Sequence, residues 1–544
     1  AERRLTEGAE PGFTHGLAEY VAQEELGRSH GFWVSHDTRF IAYEEADERH
    51  IPTFPIVHYE DERPWTETPR YPMAGEANAK VRLGVMPLEG GATRYLDWDD
   101  DSYLVKVVFS PDNLMAYALL SRDHRHLRWT LYDPVAGSSH ALCEEHSDHW
   151  VNVGSVHQFL DDGSFLTSSE EDGYRHLYIW RDGKPRQVTH GEFVVTELAA
   201  VDEVAGMAYI VATRESPLER HLYRVPLAGG EPVRVTEEHG IHVVAVSTQN
   251  GLFLDQHQNR EHATHSVLRR LADGTEVERI HAPEVGTAAA LGVAVPELVQ
   301  FPADDGTTLY GAIYRPEGPG PHPVIVSVYG GPHAQTVLDA FGLTADLEAQ
   351  YLAQHGYLVF KMDNRGMANR GVAFERPIFR SFGTVEVRDQ VTGVRWLGAS
   401  HNADLSRVGV YGWSYGGFMT LMLLEKAPEL FRAGVSGAPV TDYRFYDTAY
   451  TERYMETPAT NPEGYDEGSA LTHVEGLSGN LLIIHGLIDE NVHFRNTARL
   501  LLKLAEADKP YELMLLPSSR HGPRGRTIRL QVARRRTEYL MAHV

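Results

Sequence analysis

Up to about residue 290 the chain alternates short aromatic or β-branched runs with turns rich in Asp, Gly and Asn, the pattern of half-buried strands joined by hairpins. Runs at 32–43, 107–120 and 159–180 are examples; the second contains Ser110-Pro111-Asp112-Asn113 and the third Asp161-Asp162-Gly163 as turn signals. A closing element also recurs. Arg4-Leu5-Thr6-Glu7-Gly8, Gln187-Val188-Thr189-His190-Gly191 and Val233-Arg234-Val235-Thr236 resemble one another, and the last two are a blade-length apart. Repetition at about 40–50 residues predicts four-stranded propeller blades rather than a β-sandwich of similar strands. Because Arg4-Leu5-Thr6 reads as the end of a unit, the expectation is a partial β-propeller that opens inside a blade. Ala1-Glu2-Arg3-Arg4 shows neither an initiator Met nor a targeting pattern, which fits a missing N-terminal portion.

From about residue 291 apolar runs alternate with helical periodicity, which predicts a doubly wound, mostly parallel sheet with helices on both faces. Strands are expected at 324–328, 357–362, 408–411, 481–484 and 513–516, and helices at 343–354, 385–397, 418–424, 497–507 and 528–541. The predicted organisation is therefore an all-β propeller portion over 1–290 and an α/β domain over 291–544.

Bulk properties narrow the function. A formal net charge of −26 argues against a nucleic-acid surface, which needs clustered Lys and Arg. Cys143 is the one cysteine, so no internal disulfide, Cys-based zinc site or CxxC redox centre can form. No apolar run reaches the roughly 18 residues of a membrane span, making a soluble protein the expectation.

The chemistry concentrates in the second half. Val408-Gly409-Val410-Tyr411 reads as a buried strand, followed by Gly412-Trp413-Ser414-Tyr415-Gly416-Gly417 and a helical run. G-x-S-x-G between strand and helix is the pattern of a nucleophile held on a sharp turn in an α/β hydrolase. Ser414 is thus the expected nucleophile, and the chain order Ser, Asp, His places its partners later. Asp489 lies in a loop after the strand 481–484, and His521 in the loop after 513–516. His485 and His493 rival His521 as the base, but His485 precedes the acid and His493 opens a helix; Glu490 rivals Asp489. The expected oxyanion donors are the Tyr415 backbone N–H and a group from Tyr329-Gly330-Gly331-Pro332, with the Tyr329 phenol as one donor. A metallohydrolase is the chemical alternative. His124-Arg125-His126 and His146-Ser147-Asp148-His149 look like ligand clusters, but no H-E-x-x-H occurs and both lie in the strand-rich half, where they read as solvated loops. No metal or cofactor is expected.

With these residues in hand, the chain resembles the prolyl oligopeptidase group and, within it, the dipeptidyl peptidase IV family. The matching segments include Tyr329-Gly330-Gly331-Pro332, Asp363-Asn364-Arg365-Gly366, Gly383-Thr384-Val385-Glu386-Val387, the Ser414 turn, Tyr446-Asp447, Tyr450-Thr451-Glu452-Arg453-Tyr454-Met455 and the stretch 485–494. Gly383 to Val387 and Asp489 to Phe494 look closest to the dipeptidyl peptidase 8 and 9 branch and its bacterial relatives. Tyr20-Val21-Ala22-Gln23-Glu24-Glu25-Leu26 resembles the family's paired-glutamate segment, so Glu24 and Glu25 would hold a substrate's free α-ammonium; without the resemblance they read as an exposed acidic pair.

The resemblance further implies a proline-sized pocket from Tyr446, Tyr450, Val440 and Val492, with Tyr443 where relatives often have Trp, and Asn491 orienting the substrate carbonyl. It implies release of N-terminal dipeptides with Pro or Ala second. A propeller arginine used by relatives would precede this chain's first residue, which puts substrate affinity in question. Homodimerisation near the C-terminal helices is implied too, where Arg529, Arg534, Arg535 and Arg536 fit a polar interface or a solvated face. A peptide with a free N-terminus is the expected partner, in the cytoplasm, with a removed signal peptide as the alternative. An oligopeptidase, acylaminoacyl peptidase or esterase using the same triad is the rival enzyme reading, and a non-catalytic interaction protein the rival from another class.

Overall fold

Short alternating runs closed by tight turns return each strand beside its predecessor, and antiparallel meanders result. The computed structural model describes residues 3–60, 62–98, 101–283 and 292–544. The expected domain boundary at 290/291 lies outside the described residues, as do Ala1 and Glu2 of the first motif. Among the described residues, five successive antiparallel sheets of four or five strands precede residue 284. Asn113, in its expected turn, has φ +64°, and Ser110 Oγ accepts the Leu114 N–H at 3.0 Å.

The recurring Val-Thr element ties the end of a blade to its third strand. Thr189 Oγ1 accepts from the Leu177 N–H (3.0 Å) and contacts His176 Nδ1 (2.9 Å). Thr236 does the same for Leu222 (3.1 Å) and His221 Nδ1 (3.1 Å). Val188 and Val235 are buried beside them. The third copy differs: residues 3–9 form no strand.

The second half is one eight-stranded sheet. Its strands are β1 (Glu297–Pro302), β2 (Thr308–Tyr314), β3 (His322–Ser327), β4 (Leu358–Asp363), β5 (Ala403–Trp413), β6 (Ala433–Gly437), β7 (Asn480–Gly486) and β8 (Glu512–Leu516). Their spatial order is β1-β2-β4-β3-β5-β6-β7-β8, antiparallel at the first two pairings and parallel thereafter. Alternate residues of the central strands enter two cores. Val324, Phe360, Val410 and Ile483 pack with Phe418, Leu421 and Leu500, while Ile325, Val359, Tyr411 and Leu482 pack with Leu352, Val532 and Leu540. Helices thus cover both faces, and the order reverses between β4, β3 and β5, where open α/β sheets form their crevice.

The structure departs from the sequence expectation in a broken helix and in three strands beyond the five expected, β1, β2 and β6. The helix expected over 343–354 is broken into Phe341–Thr344 and Leu347–Gln354, because Asp346 caps the second piece by accepting the Ala349 N–H at 3.1 Å. β6 was not expected, since Ala-Gly-Val-Ser-Gly lacks strand-forming bulk. Its small residues answer crowding: a Cβ on Gly437 would lie 2.1 Å from the Trp413 ring. Among the described residues no helix is long and apolar enough to cross a membrane.

Candidate active site

β5 runs directly into the helix Tyr415–Lys426, with Ser414 between them. Ser414 adopts φ 59°, ψ −118°, a costly conformation for an L-residue that persists only when its surroundings hold it. Its N–H donates to Gly437 O at 2.9 Å, and its carbonyl accepts from Phe418 N–H at 3.0 Å. A Cβ on Gly412 would come within 2.3 Å of Gly416 O and 2.5 Å of Val328 O, so the turn requires glycine there. Ser414 is left part-exposed and lines a cavity of about 480 Å³ together with Tyr329, Trp413 and His521.

Asp489 follows β7 and His521 follows β8, so neighbouring parallel strands deliver both to the same edge as Ser414. Asp489 Oδ2 accepts from His521 Nδ1 at 2.9 Å, which leaves Nε2 as the imidazole's free nitrogen. Asp489 Oδ1 accepts the N–H groups of Asn491 (3.0 Å) and Val492 (2.8 Å). Burial alone would raise the Asp489 carboxyl, but the hydrogen bonds and charges of His485 and His521 outweigh it and hold the pKa at about 2. Burial pulls His521 down, and the bond and charge of Asp489 more than offset it, raising its pKa. Trp413 Nε1 donates to His521 O at 2.7 Å and fixes the loop.

The rivals sit elsewhere. His485 is fully buried; its Nε2–H donates to Val492 O (2.9 Å) and reaches Asp489 Oδ2 (3.2 Å), while Nδ1 accepts from Thr497 Oγ1 (2.7 Å). It buttresses Asp489 from behind. His493 stacks on Phe54 at 3.7 Å and precedes the helix Arg495–Glu506 rather than opening it. Glu490 faces Arg520 at 3.4 Å, outside the Asp489–His521 pair.

Tyr415 is the first residue of its helix, so its N–H has no intrahelical acceptor and lies at the positive end of the helix dipole. Its own phenol points away, donating to Glu386 Oε1 at 2.7 Å. Tyr329 shares the cavity with Ser414. Burial, and then the charge of Glu25, raises the Tyr329 phenol, which keeps its proton available for donation.

Glu24 and Glu25 end the short helix Tyr20–Glu25, capped by Glu19, whose carboxylate accepts Val21 N–H (2.6 Å) and Ala22 N–H (2.9 Å). Glu24 Oε1 accepts from Asn491 Nδ2, and Asn491 Oδ1 accepts from the Tyr446 phenol at 3.0 Å. Tyr71, buried against Tyr20 with ring centroids 5.0 Å apart, donates to Asn491 O at 3.0 Å. Asp447 is buried beside Glu25, and burial followed by the Asp447 charge raises the Glu25 carboxyl well above its usual range. Tyr443, Tyr446, Val440 and Val492 are buried in one cluster with Tyr450 packed against it; Tyr446 and Tyr450 meet edge to face at 5.3 Å.

Several groups at this locus carry no expectation from the sequence. Asp447 and Arg453 belong to quoted segments but were given no role. Arg453, buried, donates through Nε to His124 Nδ1 (3.1 Å) and approaches His333 Nε2 at 3.2 Å. Burial, then the Arg453 charge, pushes both histidines well below their usual pKa, so they remain neutral acceptors. His124 is therefore no solvated loop residue: it is fully buried because its loop inserts under the helix Thr448–Met455. Long-range partners such as these, some 330 positions apart for His124 and Arg453, leave no local signal.

Comparison with known proteins gives the family. The dipeptidyl peptidase IV N-terminal region matches residues 1–264 and the prolyl oligopeptidase family matches 343–544. The chain is 32% identical to mouse dipeptidyl peptidase 8, across 94% of this chain and 68% of that protein. It is 31% identical to dipeptidyl-aminopeptidase B of Aspergillus niger, across 93% of this chain and 61% of that protein. The crystal structure of Porphyromonas gingivalis dipeptidyl peptidase 4 superposes with a TM-score of 0.94 at 29% identity, covering 99% of this chain and 78% of that one. The chain spans about two thirds of these curated relatives. With an antiparallel-sheet half running into an α/β-hydrolase half that holds a serine on a strained turn, the chain belongs to the dipeptidyl peptidase IV family of serine peptidases.

Proposed function

We propose that the chain releases dipeptides from the free N-terminus of peptides with Pro or Ala at the second position. The observation that carries this reading is the hydrogen bond from Asn491 to Glu24, which joins the paired-glutamate helix to the loop that holds Asp489. Two carboxylates there can share the donors of an α-ammonium and fix which peptide bond lies over Ser414. The aromatic pocket of Tyr443, Tyr446 and Tyr450 with Val440 and Val492 suits a pyrrolidine ring and tolerates alanine.

In this reading Ser414 Oγ attacks the carbonyl of the second residue while His521 Nε2 takes the hydroxyl proton, and Asp489 holds the imidazolium that forms. The Tyr415 N–H and the Tyr329 phenol donate to the oxyanion. His521 then gives its proton to the leaving amine, and water hydrolyses the acyl-enzyme by the same relay. Hydrolysis of a chromogenic Gly-Pro amide beside its N-blocked counterpart, with Ser414→Ala as blank, tests it. Cleavage of the free-amine substrate alone is expected, whereas equal cleavage of the blocked one would favour an oligopeptidase or esterase.

The reading extends to a domain division near 290/291, where the sequence pattern changes, to a cytoplasmic location and, from the resemblance, to a homodimer. The division is supported by the last strand of the five four- or five-stranded sheets, Glu276–His281, and the first strand of the large sheet, Glu297–Pro302. The dimer contact would involve the helix Arg526–His543, where Leu530 is exposed. Sedimentation at a monomer's mass would remove the dimer, and recovery from an extracytoplasmic fraction would remove the location.

A further inference from the structure

His126 and His146, one from each histidine run, meet across a blade. Strands His126–Asp133 and Ser138–His146 pair antiparallel with His126 directly opposite His146. Directly opposed residues project to the same face, and Glu144, two positions before His146, shares it. The two imidazoles stack with centroids 4.0 Å apart. His126 Nε2 lies 3.4 Å and His146 Nε2 3.7 Å from the same oxygen, Glu144 Oε2, and one ligand atom from each of the three residues fits within 4.8 Å of the others.

These separations exceed those of several buried histidine–carboxylate pairs in the same half. His58–Glu60, His221–Glu219 and His242–Asp255 stand at 2.8, 2.7 and 2.8 Å, hydrogen-bond distances with no room for an ion. At the blade edge the atoms are too far apart for a good hydrogen bond, and the buried His126 Nε2 has no hydrogen-bond partner. Ligands about 2.0–2.2 Å from a tetrahedral ion are roughly 3.4 Å from one another, which matches the two nitrogen–oxygen distances.

The geometry points to a divalent transition-metal site at His126, Glu144 and His146, suited to Zn²⁺ or a similar borderline ion with water completing its shell. The ion joins the outer ends of two strands whose loops reach the catalytic domain. Before His126, Arg122 and Arg125 pair with Glu452 and Glu456, and beyond His146, Asn152 donates to Glu375 at 2.8 Å. The site thus clamps the hairpin that braces the helix carrying Tyr450.

Calorimetric titration of the full chain with ZnCl₂ in a non-chelating buffer tests the assignment, beside His146→Ala and Glu144→Gln. His146 is exposed, so its removal should leave the metal-free melting temperature unchanged. Loss of one Zn²⁺ equivalent in His146→Ala, and affinity weakened by at least about tenfold in Glu144→Gln, are expected, with a metal-induced rise in melting temperature that is absent in His146→Ala and smaller in Glu144→Gln than in the parent chain. Equal stoichiometry and affinity in the parent and His146→Ala, or no Zn²⁺ uptake by the parent chain, would overturn the site.

Discussion

Replacing Asp489 by Asn tests the catalytic geometry by exchanging one oxygen for an N–H₂ group. Asp489 Oδ1 accepts two backbone N–H groups, from Asn491 and Val492, so the amide oxygen of the variant must stay there. The amide nitrogen then takes the place of Oδ2, facing His521 Nδ1 and His485 Nε2. His485 has no freedom to adjust, because its Nε2–H already donates to Val492 O. His521 must therefore offer Nδ1 as acceptor, which moves its proton to Nε2, where it can no longer accept from Ser414. A wrong tautomer of this kind costs about 10⁴-fold in kcat, or about 5 kcal/mol of transition-state stabilisation. The pH profile supplies a second reading. Burial lowers the His521 pKa and Asp489 more than restores it, so the parent enzyme should lose activity as pH falls through a raised value. Without the carboxylate that acid limb should move to lower pH. Steady-state hydrolysis of Gly-Pro-nitroanilide between pH 5 and 9 measures both. A loss below tenfold, or an unmoved acid limb, would refute the reasoning.

Three other outcomes are expected. Glu24→Gln should lower kcat/KM on free-amine substrates by roughly 10- to 150-fold, the worth of a charge-assisted hydrogen bond of about 1.5–3 kcal/mol, and leave the rate of fluorophosphonate labelling of Ser414 without ligand unchanged; steady-state rates and labelling rates decide it. Arg122→Ala strips the bidentate partner (2.7 and 2.8 Å) from Glu452, whose side chain is 2% exposed, and should cost about 3 kcal/mol in urea unfolding; a cost below about 1 kcal/mol would contradict this pairing. Asp489 has a depressed folded pKa of about 2, so its contribution is fully present above the unfolded value of about 4 and is lost as pH falls toward 2. The difference in unfolding free energy between the parent and Asp489→Asn should shrink by about 2 kcal/mol from pH 5 to pH 2.

What the sequence made legible was local. Ser414 stood out because strand, glycine turn and helix are consecutive, and Asp489 and His521 because each follows an apolar strand. The Val-Thr repeat was visible because Thr189 and Thr236 act on neighbours within their own blade. Contacts across the chain left no such trace: Arg453 with His124 and Tyr71 with Asn491 depend on docking, and the histidine runs at 126 and 146 stood out as ligand-like, but their meeting with Glu144 depends on strand register. β6 escaped notice because packing against Trp413 selected glycine where strand propensity calls for bulk. Helix periodicity ran through Asp346 because capping interrupts the backbone without disturbing the apolar spacing.

The central claim, a nucleophile at Ser414 served by a free-amine subsite, is met most directly by covalent labelling. The chain is treated with a fluorophosphonate, digested and mapped by mass spectrometry, with and without excess Gly-Pro amide or its N-acetyl form. The account predicts one adduct, on Ser414, suppressed by the free-amine ligand and not by the acetylated one. Labelling of another residue, or equal protection by both ligands, would contradict it.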